Sequence, residues 1–390
     1  VSAPPRRNPA QRVVQTHGAA APAGSPAVAP VLPAPRKGRG AVANLPHRFE
    51  SLQREVDGDA LDHALREDGA DLPPLPTTVM HERVKSLLAY NESPDIPFDR
   101  SINPYRGCEH GCIYCYARPT HSYLNLSPGL DFETRLVAKV NAAAVLREEL
   151  AAPGYRPAVV NIGSATDAYQ PIERELRITR ALLELLVQCR HPFTIVTKAS
   201  LVERDLDLLR QAAATGLAGV FVSITTLEPE VARTLEPRCA SPARRLRTVE
   251  TLARAGVPVH VNAAPIIPFI NEPELEKILA AAAAAGARQA HYTVLRLPWE
   301  VSPLFEQWLQ AHFPQSAERV MNRVREMRGG KAYDAQFKTR MKGEGVWADL
   351  IRQRFAKACT RLGLTGNDQP PLRTDLFAPP SPDERQLGLF

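Results

Sequence analysis

Cys108, Cys112 and Cys115 lie within the run NPYRGCEHGCIYCYARPTH at residues 103–121, and the spacing C-x3-C-x2-C crowds three thiols into one short loop. The chain has six cysteines in all, so this clustering points to a metal centre. Ligand number is the informative quantity. Structural zinc closes its tetrahedron with four protein ligands, and three cysteines leave one position open. An iron–sulfur cube held by three thiolates likewise keeps one iron free for a small molecule. The competing zinc reading takes His110 or His121 as fourth ligand, but no second C-x-x-C pair accompanies the first.

The other cysteines, Cys189, Cys239 and Cys359, are scattered. That is not a disulfide framework, so a reducing, cytoplasmic compartment is expected. No uninterrupted apolar run reaches the roughly 18 residues of a membrane span, and none follows Val1 as a secretory leader would require. At 390 residues with 44% hydrophobic content the chain can bury a large core. The net charge of +6 is a local property. Residues 1–49 carry seven basic residues (Arg6, Arg7, Arg12, Arg36, Lys37, Arg39 and Arg48) and no acidic one, which leaves 41 basic against 42 acidic residues elsewhere. The folded part is therefore near neutral, and the basic pI says little about its partners.

Residues 1–45 are rich in Pro, Ala and Arg without apolar periodicity and read as a disordered basic tail; their prolines disfavour the amphipathic helix of a transit peptide. Residues 46–98 form a linker with a short helix expected over His81–Tyr90. From residue 99 to 297 short strands alternate with amphipathic helices. Strands are expected at Arg100–Asn103, Ala158–Gly163, Phe193–Thr197, Gly219–Thr225, Val257–Val261 and Ala290–Leu295, apolar enough to be buried on both faces. Helices are expected at Phe132–Leu150 (N-cap Asp131), Glu173–Cys189, Glu203–Ala214, Pro242–Ala255 and Glu272–Ala285. Six such units make an α/β fold, either a partial (β/α)6 barrel or an open doubly wound sheet, with chemistry at the C-terminal strand ends. The cysteine loop follows the first strand, where a site belongs. Residues 298–370 read as a helical extension (Val301–His312, Ser316–Met327, Val346–Leu362), and 371–390 as a flexible tail.

With Tyr114 before the third cysteine, the loop resembles that of the radical S-adenosylmethionine (SAM) superfamily. The stretch Asn103–Pro268 is similar to its spore photoproduct lyase-like group, often labelled DNA repair photolyases, through SPGLDFET (127–134), GSATDAYQP (163–171), TKASL (197–201), SITT (223–226), LEPR (235–238) and PIIP (265–268). The resemblance implies a partial barrel and a 4Fe–4S cluster on Cys108, Cys112 and Cys115. It also implies S-adenosylmethionine at the open iron and reductive cleavage to a 5′-deoxyadenosyl radical. The electron would come from a flavodoxin- or ferredoxin-like donor. Nucleic acid is the substrate class it suggests, and no membrane partner is expected.

By the same resemblance Tyr114 lies beside the adenine. Ser164, Thr166 and Asp167, at the end of the second strand, face the cofactor's amino group, although Ser, Thr and Asp there also suit an ordinary helix cap. Lys198 ends the third strand and matches a lysine that pairs with the cofactor carboxylate; a snorkelling surface lysine is the bland alternative. Ser223 and Thr225, with Glu236 nearby, could bond the ribose or simply end a strand. Tyr169, Gln170 and Pro171 are candidates for the substrate mouth, and Arg106 and His110 for tuning the cluster. Arg238, Arg244 and Arg245 form a basic group suited to a phosphate or to a solvated helix face. The basic residues between Arg319 and Arg361 are a further candidate for meeting nucleic acid.

One departure limits the resemblance. Spore photoproduct lyases carry a hydrogen-donating cysteine near the end of the second strand, where this chain reads Gly163-Ser164-Ala165-Thr166-Asp167. Cys239, just after LEPR, could in principle serve as that donor, but an incidental cysteine is the favoured reading. The expectation is a radical SAM enzyme, lyase-like, of unassigned substrate. The alternative is a cluster- or zinc-holding nucleic-acid-binding or regulatory module without turnover.

Overall fold

The computed structural model describes residues 35–50, 75–366 and 370–380, with the backbone of two short paired strands at Gln11–Val14 and Gln53–Val56. Six parallel strands dominate: β1 (Arg100–Ile102), β2 (Val160–Ile162), β3 (Phe193–Thr197), β4 (Ala218–Ser223), β5 (Val259–Ile266) and β6 (Gln289–Val294). They lie side by side in chain order, with Ala89–Tyr90 antiparallel on the outer edge of β1. Helices α1 (Ala142–Ala151), α2 (Ile178–Gln188), α3 (Leu206–Ala213), α4 (Pro242–Arg254) and α5 (Leu275–Ala284) fill the crossovers. Sequential order and one crossover hand put the helices on one side and curl the sheet into a partial (β/α)6 barrel.

Strand alternation sorts the residues. Val160, Ile162, Phe193, Ile195, Val220, Val222, Val259 and Val261 join Leu146, Leu182, Leu186, Leu209, Leu252 and Ile278 in one core. Most of the intervening positions are polar or aromatic. Asn161 donates to Thr194 Oγ1 at 3.0 Å, and Phe221 stacks on His260 with centroids 4.5 Å apart. The strands are thus apolar on one face only, because the concave face of a curled sheet lines a lumen and not a second helical layer.

Other elements depart from the sequence reading for identifiable reasons. His81–Tyr90 is not helical: Thr78–Glu82 is a strand, parallel to Arg135–Lys139, which in turn pairs antiparallel with Tyr105–Arg106. The expected helix at Phe132–Leu150 is accordingly split into Leu130–Thr134, a strand and α1. Asn141 fixes the junction, since its amide bonds both the N–H and the carbonyl of Val84, each at 2.9 Å. Asp131 does not cap that helix but accepts from Asn44 and Ser127, both at 3.0 Å. The helix expected from Glu173 to Cys189 breaks at Arg177 (φ +50°), where buried Glu173 takes the Thr179 N–H at 3.0 Å and the Arg204 guanidinium at 2.8 Å.

Helices α6 (Val301–His312), α7 (Ala317–Glu326) and α8 (Gly345–Leu362) follow the barrel. Leu304, Phe305, Trp308, Val320 and Val324 form a second core with Ile113 and Tyr114 of the cysteine loop. Both presumed tails need correction where they are described. Residues 35–45 pack across the cysteine loop, and 370–380 are anchored by Arg373 N–H to Gly216 O and Ala378 N–H to Cys189 O, each at 2.9 Å. Most of the N-terminal tail, and residues 381–390, lie outside the described residues. No described helix is long and apolar enough to cross a membrane.

Burial pulls His191 and His260 down to a pKa of about 4, from an ordinary 6.5. Between those values the unfolded chain binds protons that the folded chain refuses, so stability rises with pH through that window. The thermal midpoint should fall as pH drops from about 6.5 toward 4, and His191→Asn should flatten that slope. A midpoint constant across the window would contradict this assignment.

Candidate functional site: a thiol loop at the barrel mouth

Strand β1 delivers the chain through Tyr105–Arg106 to Cys108. The loop is two successive turns, Gly111 N–H to Cys108 O at 3.3 Å and Cys115 N–H to Cys112 O at 3.2 Å. Gly111 takes φ +67°, a left-handed value that suits glycine. Fully buried Arg118 organises the loop's underside. It donates to Cys112 O at 2.9 Å, Gly111 O at 3.1 Å and the Pro128 and Gly129 carbonyls at 3.0 Å, and it pairs with buried Glu133. All five guanidinium donors are used.

Glu133 also accepts the backbone N–H groups of Gly40 at 3.0 Å and Ala41 at 2.8 Å. This strap presses so closely on the loop that a Cβ at Gly40 would lie 1.8 Å from Gly111 O. On the opposite side Gln170 ties down the loop's start. Its amide accepts from Glu109 N–H at 2.8 Å and donates to Gly107 O and Thr166 Oγ1, both at 3.3 Å.

The thiols of the loop sit in unequal electrostatic surroundings. Hydrogen bonding from Cys239, helped by the charge of Lys198, lowers the Cys112 thiol to about 7 against the opposing effect of burial. Burial and the neighbouring thiols push Cys115 up to about 11. Burial works against a charged His110, but Asp167 at 3.2 Å and the Cys108 sulfur outweigh it and hold the imidazole above its ordinary value. Asp167 drops to about 2 despite its burial, because it faces His110 and accepts the Lys198 N–H at 2.7 Å and the Tyr169 N–H at 2.9 Å.

A second group surrounds Tyr114. Its hydroxyl meets Glu236 and, at 3.2 Å, Thr225. Glu236 also holds Arg245 and takes the Thr225 hydroxyl at 2.7 Å. Arg245 reaches on to Ser223 O at 3.1 Å. Lys198 Nζ stands 5.8 Å from the centroid of the Tyr114 ring.

The structure thus brings Cys112, Tyr114, Lys198, Ser223, Thr225 and Glu236 to the ends of β3 and β4. Asp167 and Thr166 join His110 and Gln170 at the end of β2. Ser164 lies beside them, bonded by Asn103 at 3.3 Å. Other candidates lie elsewhere. Tyr169 and Gln170 do not line the mouth but are buried, Tyr169 donating to Asp205 at 3.0 Å. Arg106 pairs with Glu82 at 3.1 Å in the small sheet, and Arg244 with Glu203 at 2.6 Å. Arg238 faces Glu109 at 3.0 Å. Arg118 and Glu133 went unnoticed in sequence, because a buried ion pair has no periodic signature.

Three soft sulfur donors with no carboxylate among them suit an iron–sulfur cluster. For zinc the fit is poorer. His121, one proposed fourth ligand, is turned to Arg135 O at 2.9 Å, and His110 is engaged by Asp167. Among the described residues no three His, Cys, Asp or Glu side chains gather at single-ion spacing.

The profile of the Radical SAM superfamily matches residues 102–282. An uncharacterized protein of Mycobacterium tuberculosis is 34% identical over 288 residues, 72% of this chain and 81% of its own. One from Methanocaldococcus jannaschii is 26% identical over 223 residues, covering 57% and 80%. Among solved structures, a spore photoproduct lyase variant superposes with a TM-score of 0.51 at 17% identity, over 73% of this chain and 78% of that one. The same lyase complexed with a dinucleoside spore photoproduct gives 0.51 at 16% identity, over 73% and 79%. The chain belongs to the radical SAM superfamily, and its fold is that seen in spore photoproduct lyase.

Removing one partner of a fully desolvated ion pair leaves the other charge buried, at a cost of about 3–5 kcal/mol. Glu133→Ala should lose stability on that scale in denaturant titration and release the residue 39–41 strap to proteolysis. A loss below about 1 kcal/mol would show the pair to be dispensable.

Proposed function

We propose that Cys108, Cys112 and Cys115 hold a 4Fe–4S cluster and that the protein is a cytoplasmic radical SAM enzyme with lyase-like chemistry. The observation that carries this reading is the three-thiol loop clamped at the C-terminal mouth of the barrel. When bound, the cluster would supply the electron that splits S-adenosylmethionine into methionine and a 5′-deoxyadenosyl radical. The chain's own residues bind, orient and exclude water. Lys198 offers a cation to the cofactor carboxylate, and Tyr114 an aromatic face to the adenine. Ser164 and Thr166 offer hydroxyls to the amino group, and Ser223 one to the ribose. Asp167 and Glu236 act as positioning residues, because their carboxylates are already taken by His110 and the Lys198 N–H, and by Tyr114, Thr225 and Arg245.

Nucleic acid is the substrate class this surface supports. Three exposed aromatics each carry an arginine: Tyr116 with Arg296 at 5.4 Å, Trp299 with Arg48 at 4.1 Å and Phe337 with Arg340 at 4.7 Å. Farther along, Arg319 stacks on Phe269 at 3.9 Å and Arg323 on Trp347 at 4.4 Å. Aromatic–arginine platforms of this kind stack bases. The solved lyase complex contains a dinucleoside, which accords with this choice. The thiol missing at Ser164 argues that the reaction is not photoproduct repair by the same hydrogen-donor route. A flavodoxin- or ferredoxin-like protein would deliver the electron.

Anaerobically purified protein should be brown and contain iron and sulfide, and alanine at Cys108, Cys112 or Cys115 should bleach it. With dithionite and S-adenosylmethionine it should release 5′-deoxyadenosine, and Lys198→Met should raise KM for the cofactor about tenfold, an effect worth about 1.4 kcal/mol. A colourless protein with stoichiometric zinc would refute the proposal.

A further inference from the structure

Cys239 has no place in the proposed ligand set, yet its sulfur lies 3.7 Å from that of Cys112. The backbone builds this approach. Ile113 N–H donates to Leu235 O at 3.1 Å, and Arg238 N–H donates to His110 O at 3.3 Å. The Arg238 guanidinium locks the same seam through Glu109 at 3.0 Å. Pro237 packs over Gly111, where a Cβ would stand 3.3 Å from its ring. Residues 235–239 therefore form a wall of the cysteine loop, and a turn from Cys239 N–H to Glu236 O at 3.1 Å sets Cys239 opposite Cys112. Both sulfurs share apolar surroundings with Ile113 and Leu235, whereas Cys108 sits with Ala117 and Phe132.

We propose that Cys112 and Cys239 are a redox pair: in the chain without its cluster, oxidation closes a Cys112–Cys239 disulfide that withdraws one ligand and blocks cluster loading until it is reduced. The consequence for loading rests on Cys112 being a ligand, while the pairing rests on the geometry alone. With a peroxide as oxidant the step balances. One thiolate attacks an O–O oxygen, and the sulfenic acid forms as water leaves. The second sulfur then displaces a second water to form the S–S bond. Two thiols lose two electrons and two protons, and hydrogen peroxide departs as two waters. A dithiol reverses the change through a mixed disulfide. Closing the bond takes the two sulfurs from 3.7 Å to about 2.05 Å.

The test uses the full chain, stripped of metal and reduced anaerobically, then treated with hydrogen peroxide and mapped as non-reduced peptides. The dominant cross-link should join the peptides of Cys112 and Cys239, disappear in Cys239→Ser and in Cys112→Ser, and be reversed by dithiothreitol. Iron and sulfide uptake by the oxidised wild type should fall severalfold and recover on reduction. Reduced Cys239→Ser should load like the reduced wild type. Cross-links confined to Cys108, Cys112 and Cys115, or Cys239 left free to alkylate after oxidation, would overturn the pairing. Failure of reduced Cys239→Ser to load, at an unchanged thermal midpoint, would make Cys239 a ligand and overturn the proposal too. If the reduced wild type takes up no cluster, the ligand reading fails and the proposed block on loading falls with it, while the cross-link map still decides the pairing.

Discussion

The Arg118–Glu133 ion pair is the constraint on which the site depends. Burying two charges is expensive, and such pairs persist only when every remaining donor and acceptor is satisfied. Here the guanidinium takes four main-chain carbonyls besides its carboxylate partner, two of them from the cysteine loop. The carboxylate takes two N–H groups from a segment more than ninety residues earlier in the chain. One pair therefore fixes the thiol loop, the turn at residues 127–130 and the strap at residues 39–41 relative to one another. An apolar pair of the same volume could fill the space, but it could not dictate where four carbonyls point.

The barrel supplies the rest of the positioning through a division of labour between its faces. Apolar strand positions meet the helices and provide the bulk of the burial. The lumen positions are free to be polar, and the strand ends carry the carboxylates that arrange the site. Asp167 follows the end of β2, and Glu236 caps the short helix Pro229–Leu235 that comes after β4. In space both carboxylates are engaged by protein groups. Each accepts from three or more protein groups and holds another residue still, His110 and the Lys198 backbone in one case and Tyr114 in the other.

What the sequence could reveal follows from which physical signals are local. The six barrel strands and α6 were legible because periodicity and β-branched runs are written within a few residues; Phe193–Thr197 and Val301–His312 match to the residue. The thiol spacing was legible because its chemistry depends on a count. The strand at Arg135–Lys139 was not, since its pairing with Thr78–Glu82 lies outside any local window and its apolar residues also fit a helical stripe. The strap was hidden for a related reason. It is held by backbone N–H groups on a distant carboxylate, and main-chain donors carry no residue identity.

The clamping of the loop also determines how it can be reached. The strap covers one side, with Gly40 against Gly111. The segment 235–239 covers another through two main-chain bonds, and Arg118 fills the underside. The remaining approach is from the barrel mouth, where Lys198, Tyr116 and Arg296 stand. The same walls that restrict access bring Cys239 against Cys112. The clamping that fixes the loop thus also holds a fourth thiol within reach of one of its three.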